Sequence, residues 1–250
     1  MIEPEVVVLP SAPELAAQVA RETLSSLRHV LSRRTRAAVA LTAGSIMERV
    51  WTALAADPGE VDWSRVDVFW GDERFVPHDS ADRNDGPANR ILFASGPIAT
   101  AGQYPMPGSD GEFGDDLDAA AAGYARLLGD HLRPDDDGPV PNFDIVLLGV
   151  GPDGHCCSLF PDHPSSRDLS ASVIPVRDSP KPPPLRLSLS FDGLNAANEI
   201  WVVASGDGKA DAVRAALREN PSREHMPSAG ARGRSRTRWL IDADAAAKLD

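Results

Sequence analysis

The sequence predicts an α/β protein built on a doubly wound, mostly parallel sheet with helices on both faces. Short apolar runs typical of strands alternate with longer amphipathic segments nearly throughout the chain. The run at residues 143–150 (FDIVLLGV) lacks polar alternation, which indicates a strand buried on both faces, as in a parallel sheet. Polar turns follow several strands, so we expect these turns to share the edge where such sheets bind ligands.

We expect residues 1–250 to form a single domain, because strands resume the same pattern after each polar loop. A composition of 42% hydrophobic and 25% charged residues is ordinary for a globular protein with a sizeable core. The net charge of −12 argues against non-specific binding to nucleic acid or to anionic membranes. An anionic substrate would therefore need a local cluster of positive charge.

The cysteines and the apolar runs predict a cytoplasmic protein. Cys156 and Cys157 are adjacent, so they make neither an ordinary disulfide nor a zinc-binding CxxC pair, which suits a reducing compartment. The N-terminal residues lack the positive region and apolar core of a signal peptide. No apolar run approaches the ~20 residues that span a bilayer, so we expect no membrane partner.

The first half of the chain predicts strands that are each followed by a helix or a polar turn. A capping box at residues 11–14, with proline in the first turn, begins a helix that continues to about Leu31. A loop of small residues at 43–45 separates the second strand from a helix at 46–55. The strands predicted here are 5–9, 37–42 and 66–70, and a short helix is expected at 88–94.

The second half continues this alternation around the central strand. Residues 185–190 alternate with period two, which predicts a strand with Arg186, Ser188 and Ser190 on one face. The proline run at 180–184 excludes helix and central strand. The other strands predicted are 171–176, 199–204 and 237–241. The helices predicted are 119–132, 191–197, 210–218 and 243–249, and the loops are 102–118, 133–141 and the basic segment 221–236.

The turn after the central strand is the first candidate for chemistry. Asp153 and His155 lie two residues apart on it, and Ser158 follows as a candidate helix cap. A carboxylate and an imidazole at the carboxyl end of a parallel strand are well placed to act on a ligand. The alternative is a glycine-rich turn with a capping Asp153 and a surface His155. The glycines that let the backbone turn here are Gly149, Gly151 and Gly154.

Three further turns carry groups suited to an anion or to a crevice. The loop at 43–45 leads into a helix, whose free N–H groups and dipole favour a phosphate; the alternative role for Ser45 is an N-cap. Lys209 lies in the first turn of a predicted helix, which is unfavourable for the dipole and suggests that it is held for an anion. The charged residues at 72–74 follow a strand directly, as solvated loop charges or as part of the crevice.

Together, these turns resemble the motifs of the 6-phosphogluconolactonase family, in the same order from about Val39 to the end of the chain. Residues 148–161 (LGVGPDGHCCSLFP) match the family's G-x-G-x-D-G-H-x-x-S-L-F-P signature closely. One such motif is a weak signal, whereas six in order are a strong one. The other matching segments are the small-residue loop at 41–45, the D-E-R segment at 70–77, Arg83-Asn84, Arg186, Lys209, and the terminal Trp239 and Asp242.

The chain departs from the family pattern at a few positions. Ala43 replaces a glycine, which matters only if that position requires a positive φ. Ser188 replaces a threonine and keeps the hydroxyl. Cys156 and Cys157 stand where the family shows small residues, and we interpret them as packing residues without a catalytic part.

The resemblance implies a Rossmann-like, NagB-type fold and a carboxylic ester hydrolase. The expected reaction is hydrolysis of 6-phospho-D-glucono-1,5-lactone to 6-phospho-D-gluconate in the oxidative pentose phosphate pathway. No metal or organic cofactor is implied. The expected partner is this small sugar-phosphate lactone, and we expect a monomer or a weak homo-oligomer.

The resemblance also implies roles for individual residues. We expect His155 to act as the general base toward water, with Asp153 or Asp72 orienting the imidazole or the water. Arg74 would serve either the phosphate or the developing oxyanion, and the alternative for Arg186 is a charge on the strand surface. The expected substrate- and phosphate-binding residues are Thr42, Gly44, Ser45, Arg74, Asn84, Gly151, Gly154, Ser158, Arg186 and Lys209.

Two other function classes compete with this interpretation. Isomerases and deaminases of amino-sugar phosphates share the D-G-H turn but carry a glutamate after the histidine, and residues 156–161 contain no acidic residue. A sugar-phosphate-sensing regulator would usually carry a DNA-binding module, whereas this chain is acidic and has no N-terminal length for a helix-turn-helix. Both features favour the lactonase.

Overall fold

A seven-stranded sheet, parallel at every pairing, forms the centre of the computed structural model, which describes residues 3–94, 96–218 and 221–249. Its strand order is β1-β10-β9-β6-β2-β3-β5. The strands are β1 (Glu5–Leu9), β2 (Ala37–Leu41), β3 (Val66–Trp70), β4 (Asp72–Arg74), β5 (Gly102–Gln103), β6 (Ile145–Gly149), β7 (Val173–Val176), β8 (Arg186–Leu189), β9 (Glu199–Ala204) and β10 (Arg236–Asp242).

Helices flank this sheet, so the predicted fold class is confirmed. The α-helices are α1 (Ala12–Leu31), α2 (Ser45–Ala56), α3 (Asp85–Ala88), α4 (Leu117–Asp130), α5 (Phe191–Asn195), α6 (Ala210–Leu217) and α7 (Pro227–Gly230). The capping box of α1 is present, since the Ser11 hydroxyl accepts a hydrogen bond from the backbone N–H of Glu14. Within the described residues, none of the helices is long and apolar enough to cross a bilayer.

The order of the strands fixes where a ligand can bind. From β2 the chain adds β3 and β5 on one side, whereas from β6 it adds β9 and β10 on the other. The direction of winding therefore reverses between β2 and β6, which pair in register at Val39 and Ile145. In open α/β sheets, a crevice opens at this reversal, outside the carboxyl ends of the two strands.

A second, antiparallel sheet in the order β4-β8-β7 lies beside this crevice. The sequence predicted strands near β7 and β8 but did not separate them from the main sheet, nor did it predict β4. Asp72 faces Ser188 and Arg74 faces Arg186 across the β4–β8 pair. Arg186 is only 4% exposed, so the alternative of a charge on the strand surface is wrong.

Several predicted segments differ from the structure. Residues 243–248 form turns and not the predicted regular helix. The Asp242 carboxylate accepts the backbone N–H of Ala245, as a helix N-cap would, and also that of Gly206. The basic segment 221–236 contains α7 with a fully buried Ser228, so its described residues are not a simple surface loop. The predicted loop 102–118 contributes β5 and a buried Met106 to the structure.

A buried tyrosine ties α4 to the end of β3. The Tyr124 hydroxyl accepts a hydrogen bond from the backbone N–H of Trp70 at 3.0 Å and donates one to the carbonyl of Tyr104 at 3.0 Å. Tyr124 is fully buried, so no water can replace these bonds. Trp70 is the last residue of β3 and immediately precedes the turn to Asp72, so the bond fixes the strand end that leads into the crevice.

We expect Tyr124→Phe to lower the free energy of unfolding by about 1–3 kcal/mol, because it leaves the buried N–H of Trp70 without a partner. Tyr104→Phe is the matched control: its partly buried hydroxyl donates to Asp67 at 3.2 Å, and Asp67 keeps its ion pair with Arg36. The control should cost less than about 1 kcal/mol. Urea unfolding followed by circular dichroism measures both, and equal stability of the two variants would contradict the assignment.

Candidate active site

A cavity of about 300 Å³ occupies the crevice at the winding reversal. Its walls come from segments that follow β2, β4, β6, β7 and β9, and from the antiparallel sheet. Among the predicted site residues, those that line it are Thr42, Gly44, Ser45, Asp72, Arg74, Asn84, Gly151, His155, Arg186 and Lys209. The imidazole of His155 therefore shares one cavity with Ser45 and Lys209, although the three are far apart in the sequence.

Thr42 links the two central loops at their bases. Its backbone N–H and its hydroxyl both donate to the carbonyl of Leu147, at 3.2 and 3.1 Å, and the hydroxyl accepts the N–H of Gly149 at 2.9 Å. The next residues lead directly into α2, whose N-cap is Gly44 with a φ of +146°. Ser45 is the first residue of the helix, so the alternative role of Ser45 as N-cap is wrong.

The turn that carries His155 is held by its own backbone. The N–H of Gly151 donates to the carbonyl of His155 at 2.8 Å, and the N–H of Gly154 donates to that of Gly151 at 2.9 Å. A Cβ on Gly151 would lie 1.9 Å from Nδ1 of His155, so only glycine lets the ring lie against this turn. Gly154 has a φ of +85°, and the space where its Cβ would be is filled by Met226.

No helix begins at this turn, so the alternative of Asp153 as a helix cap is wrong for the described chain. Asp153 instead contacts the imidazole: its Oδ1 accepts a hydrogen bond from Nδ1 of His155 at 2.5 Å. The Nζ of Lys181 lies 3.1 Å from the same carboxylate oxygen. Burial opposes ionisation of Asp153, but the hydrogen bond and charge of His155, with those of Lys181, outweigh it and lower the pKa of Asp153.

Asp72 is the second carboxylate that the sequence predicts to orient the imidazole or the water. It is buried, and its Oδ2 accepts a hydrogen bond from the hydroxyl of Ser158 at 2.8 Å. The side-chain amide of Asn84 donates to the backbone carbonyl of Asp72 at 3.0 Å. Ser158 is fully buried behind Asp72 and caps no helix, so it contacts the cavity only through that carboxylate.

Glu73 is a buried carboxylate that the sequence did not predict as a site residue, and it holds the backbone of two residues that line the cavity. Glu73 accepts the backbone N–H groups of Arg74 and Asn84, both at 2.7 Å, and of Asp85 at 3.0 Å. Arg83 makes a bidentate pair with Asp85 at 2.8 and 3.0 Å. Burial raises the pKa of Glu73 to about 7, opposed by the charge of Arg83. Glu73 and Arg83 thus hold two cavity residues without lining the cavity themselves.

Cationic side chains line the rest of the cavity. The pKa of Lys209 is lowered by burial and by the nearby charge of Lys181, and the charge of Asp153 opposes this. Burial also lowers the pKa of Arg186, against the charge of Asp72. The sequence did not predict Lys181 as a site residue, because a lysine within a proline run belongs to no recognised motif. Its only signal is that it is the one charged residue in that run.

Within the described ranges, no group of three or more histidine, cysteine, aspartate or glutamate side chains is arranged to hold a metal ion. The side chains at the cavity are an imidazole bonded to a carboxylate, a second buried carboxylate and several cations.

Comparison with known proteins agrees with the motifs. Residues 10–239 match the family model described as glucosamine-6-phosphate isomerases/6-phosphogluconolactonase. The chain belongs to this family. The resemblance noted in the sequence is thereby confirmed.

Three relatives that are matched over nearly their full length are named as lactonases. The 6-phosphogluconolactonase of Streptomyces coelicolor is 42% identical, over 98% of this chain and 95% of the relative. That of Mycobacterium tuberculosis is 42% identical over 97% of both chains, and the human one 35% identical over 97% and 92%. These relatives also confirm the prediction of an enzyme of the 6-phosphogluconolactonase class.

Solved structures of the family share the fold. The 6-phosphogluconolactonase of Trypanosoma brucei has a TM-score of 0.86 at 26% identity, with both chains covered completely. A monomeric glucosamine-6-phosphate deaminase of the NagB superfamily has a TM-score of 0.77 at 22% identity, covering 98% and 99% of the chains. At that identity the second likeness concerns the fold alone.

The cysteines that depart from the family pattern are both buried. Burial and the nearby charge of Asp72 raise the pKa of both thiols, so neither is ready to act as a nucleophile. This supports their interpretation as packing residues. Cys157 has a φ of +49°, whereas Ala43 is not among the described residues with a positive φ, so this family position does not require glycine here.

Asp153→Asn should lower the free energy of unfolding at neutral pH, and the deficit should shrink in acid. The folded chain lowers the pKa of Asp153, so its contribution to stability is complete above about pH 5 and is lost as the pH falls through the folded pKa. The carboxylate is partly exposed, so we expect a small effect.

Urea unfolding between pH 3 and 7 measures this difference, with substitution of the exposed Asp79 by asparagine as the control. A deficit equally large at pH 3 and pH 7 would contradict a stabilising, ionised Asp153.

Proposed function

We propose that this protein hydrolyses 6-phospho-D-glucono-1,5-lactone to 6-phospho-D-gluconate in the oxidative pentose phosphate pathway. The observation that carries the proposal is that His155, hydrogen-bonded to Asp153, lines one cavity together with the α2 N-terminus and Lys209. A lactone is an activated ester, so one positioned water suffices to open it. The site therefore needs a base at one end and an anion cradle at the other.

The phosphate end of the cavity is the loop at 43–45 with the N-terminus of α2. Free N–H groups of a helix of 12 residues face this end of the cavity, and the dipole favours a negative charge there. Lys209 and Arg186 line the same cavity and supply positive charge. In a chain with a net charge of −12, such a local cluster is what an anionic substrate requires.

The chemical end is the imidazole of His155. Asp153 accepts a hydrogen bond from Nδ1–H of His155, so the lone pair lies on Nε2, which can take a proton from water. The resulting hydroxide attacks the lactone carbonyl, and the tetrahedral intermediate collapses by breaking the bond to the ring oxygen. The imidazolium then returns its proton to that oxygen.

The two carboxylates have different surroundings, which supports different roles. Asp153 is the one bonded to His155, so we assign it the orientation of the imidazole. Asp72, held by Ser158, faces the cavity and would orient the water. Arg74 supplies charge to either the phosphate or the developing oxyanion.

Isomerase or deaminase activity on amino-sugar phosphates has less support. The glutamate that assists ring opening in those enzymes has no counterpart after His155, where Cys156 and Cys157 are buried. A cytoplasmic location, and a monomeric or weakly associated state, stay predictions from the sequence.

The test of function is acid release from freshly made lactone above its spontaneous rate. We expect His155→Ala to lose about 10²–10⁴ in kcat with little change in KM, because it removes the base and leaves the anion cradle. His78→Ala is the control, since His78 is half-exposed, pairs with Asp110 and does not line this cavity.

Wild-type turnover in the His155 variant would refute the base assignment. Release of ammonia from glucosamine 6-phosphate by the wild-type protein would favour the deaminase instead.

Lys209→Ala should raise KM more than it lowers kcat, because the ammonium lines the cavity and would neutralise the charge of the phosphate there. Lys248→Ala is the matched control: Lys248 is half-exposed and pairs with Asp211 outside the cavity. Steady-state kinetics on the lactone separate the two parameters. An unchanged KM in the Lys209 variant would remove it from the phosphate site.

A further inference from the structure

Lys181 contacts the catalytic pair directly. Its Nζ lies 3.1 Å from Oδ1 of Asp153 and 3.0 Å from Nδ1 of His155. A carboxylate can only accept, so with the proton on Nδ1 the imidazole and the ammonium both donate to the same oxygen, and the 3.0 Å approach of Nζ to Nδ1 is a contact between two donors that share it. Lys181 also lines the cavity, where it is the basic residue closest to the proposed base.

Arg186 holds the backbone on which Lys181 lies. Its guanidinium donates to three consecutive carbonyls, to Lys181 at 2.9 Å, Pro182 at 3.0 Å and Pro183 at 3.2 Å. Arg186 is buried, so these bonds form away from water. The guanidinium N–H groups committed to these carbonyls are not available to a phosphate.

Phe160 contacts both Arg186 and His155. The guanidinium carbon of Arg186 lies 5.8 Å from the centroid of the Phe160 ring, and the His155 ring lies 4.9 Å from the same centroid. The arginine and the imidazole therefore pack against one shared aromatic ring. This arrangement fixes the distance between the Lys181 segment and the catalytic turn.

We propose that Lys181 is a positioning residue that holds the Asp153 carboxylate against Nδ1 of His155, and that Arg186 acts mainly by holding the Lys181 segment. The inference rests on the proposed function and deepens it. Asp153 lies on a glycine-flanked turn, with its side chain about one-third exposed, so its carboxylate is free to rotate toward water unless a second group anchors it.

The anchor matters for the reaction because it selects the form of the imidazole. With Nδ1–H donated to Asp153, the lone pair of Nε2 points away from the turn and accepts the proton of water. If the carboxylate rotates away, Nδ1 and Nε2 compete for the same proton and the ring loses its orientation. Lys181 therefore affects the rate of the chemical step and not the binding of the phosphate.

The experiment compares Lys181→Met, Lys181→Arg, Arg186→Lys and the Lys181→Met/Arg186→Lys double variant with Lys248→Met as the exposed control. We expect Lys181→Met to lower kcat about tenfold with KM unchanged within about twofold, and Lys181→Arg to restore most of the rate. Arg186→Lys keeps the charge but cannot reach three carbonyls, so it should cost a similar factor.

Because both residues act through one contact, the double variant should lose about 10–30-fold, and not the product of about 100-fold. A KM that rises in Lys181→Met with kcat unchanged would make Lys181 a substrate ligand and overturn the inference. A double variant that loses the full product would overturn the link to Arg186.

A second measurement does not depend on turnover. The side-chain Nδ1–H signal of His155 in the NMR spectrum of the free protein should broaden or shift upfield in Lys181→Met and persist in Lys181→Arg. An unchanged signal in Lys181→Met would overturn the inference. Failure of the wild-type protein to open the lactone would refute the proposed function alone, since the NMR comparison still decides the role of Lys181.

Discussion

The pairing of β2 with β6 is the constraint on which the site depends. These neighbouring strands belong to the two halves of the sheet, and the chain winds away from them in opposite directions. The hydroxyl of Thr42 bonds both to Leu147 and to Gly149, so it sets the separation of the two loops just as they leave the sheet. One loop leads to the helix N-terminus and the other to the catalytic turn, so this spacing sets the distance between the anion cradle and the base.

The antiparallel sheet holds charged side chains at fixed positions on a buried wall of the cavity. Across β4 and β8, Asp72 faces Ser188 and Arg74 faces Arg186, so acid and base side chains enter the crevice at fixed register. Asp72 and Arg186 are compensated where they are buried: Ser158 donates to Asp72, and backbone carbonyls accept from Arg186. Buried polar groups are tolerated when they are hydrogen-bonded in this way. The wall is therefore rigid before a substrate binds.

The sequence predicted most of the parallel sheet because its strands are short, apolar and bounded by turns. It also predicted the loops that line the cavity, since their motifs are local and lie at strand ends. It failed where a role depends on contacts distant in sequence. Ser158 suggested a helix cap but bonds to Asp72, 86 residues away. Lys181 carries no motif, and its position depends on Arg186 and Asp153. The predicted C-terminal helix is instead a series of turns at residues 243–248, although the Asp242 carboxylate accepts the N–H of Ala245 as an N-cap would.

In sequence order, the first residue that lines the cavity is Thr42 and the last is Lys209, which lies shortly after β9. During synthesis, the residues of the anion cradle and His155 therefore precede β9 and Lys209. The wall that carries Lys209 therefore takes its place only when β9 pairs with β6.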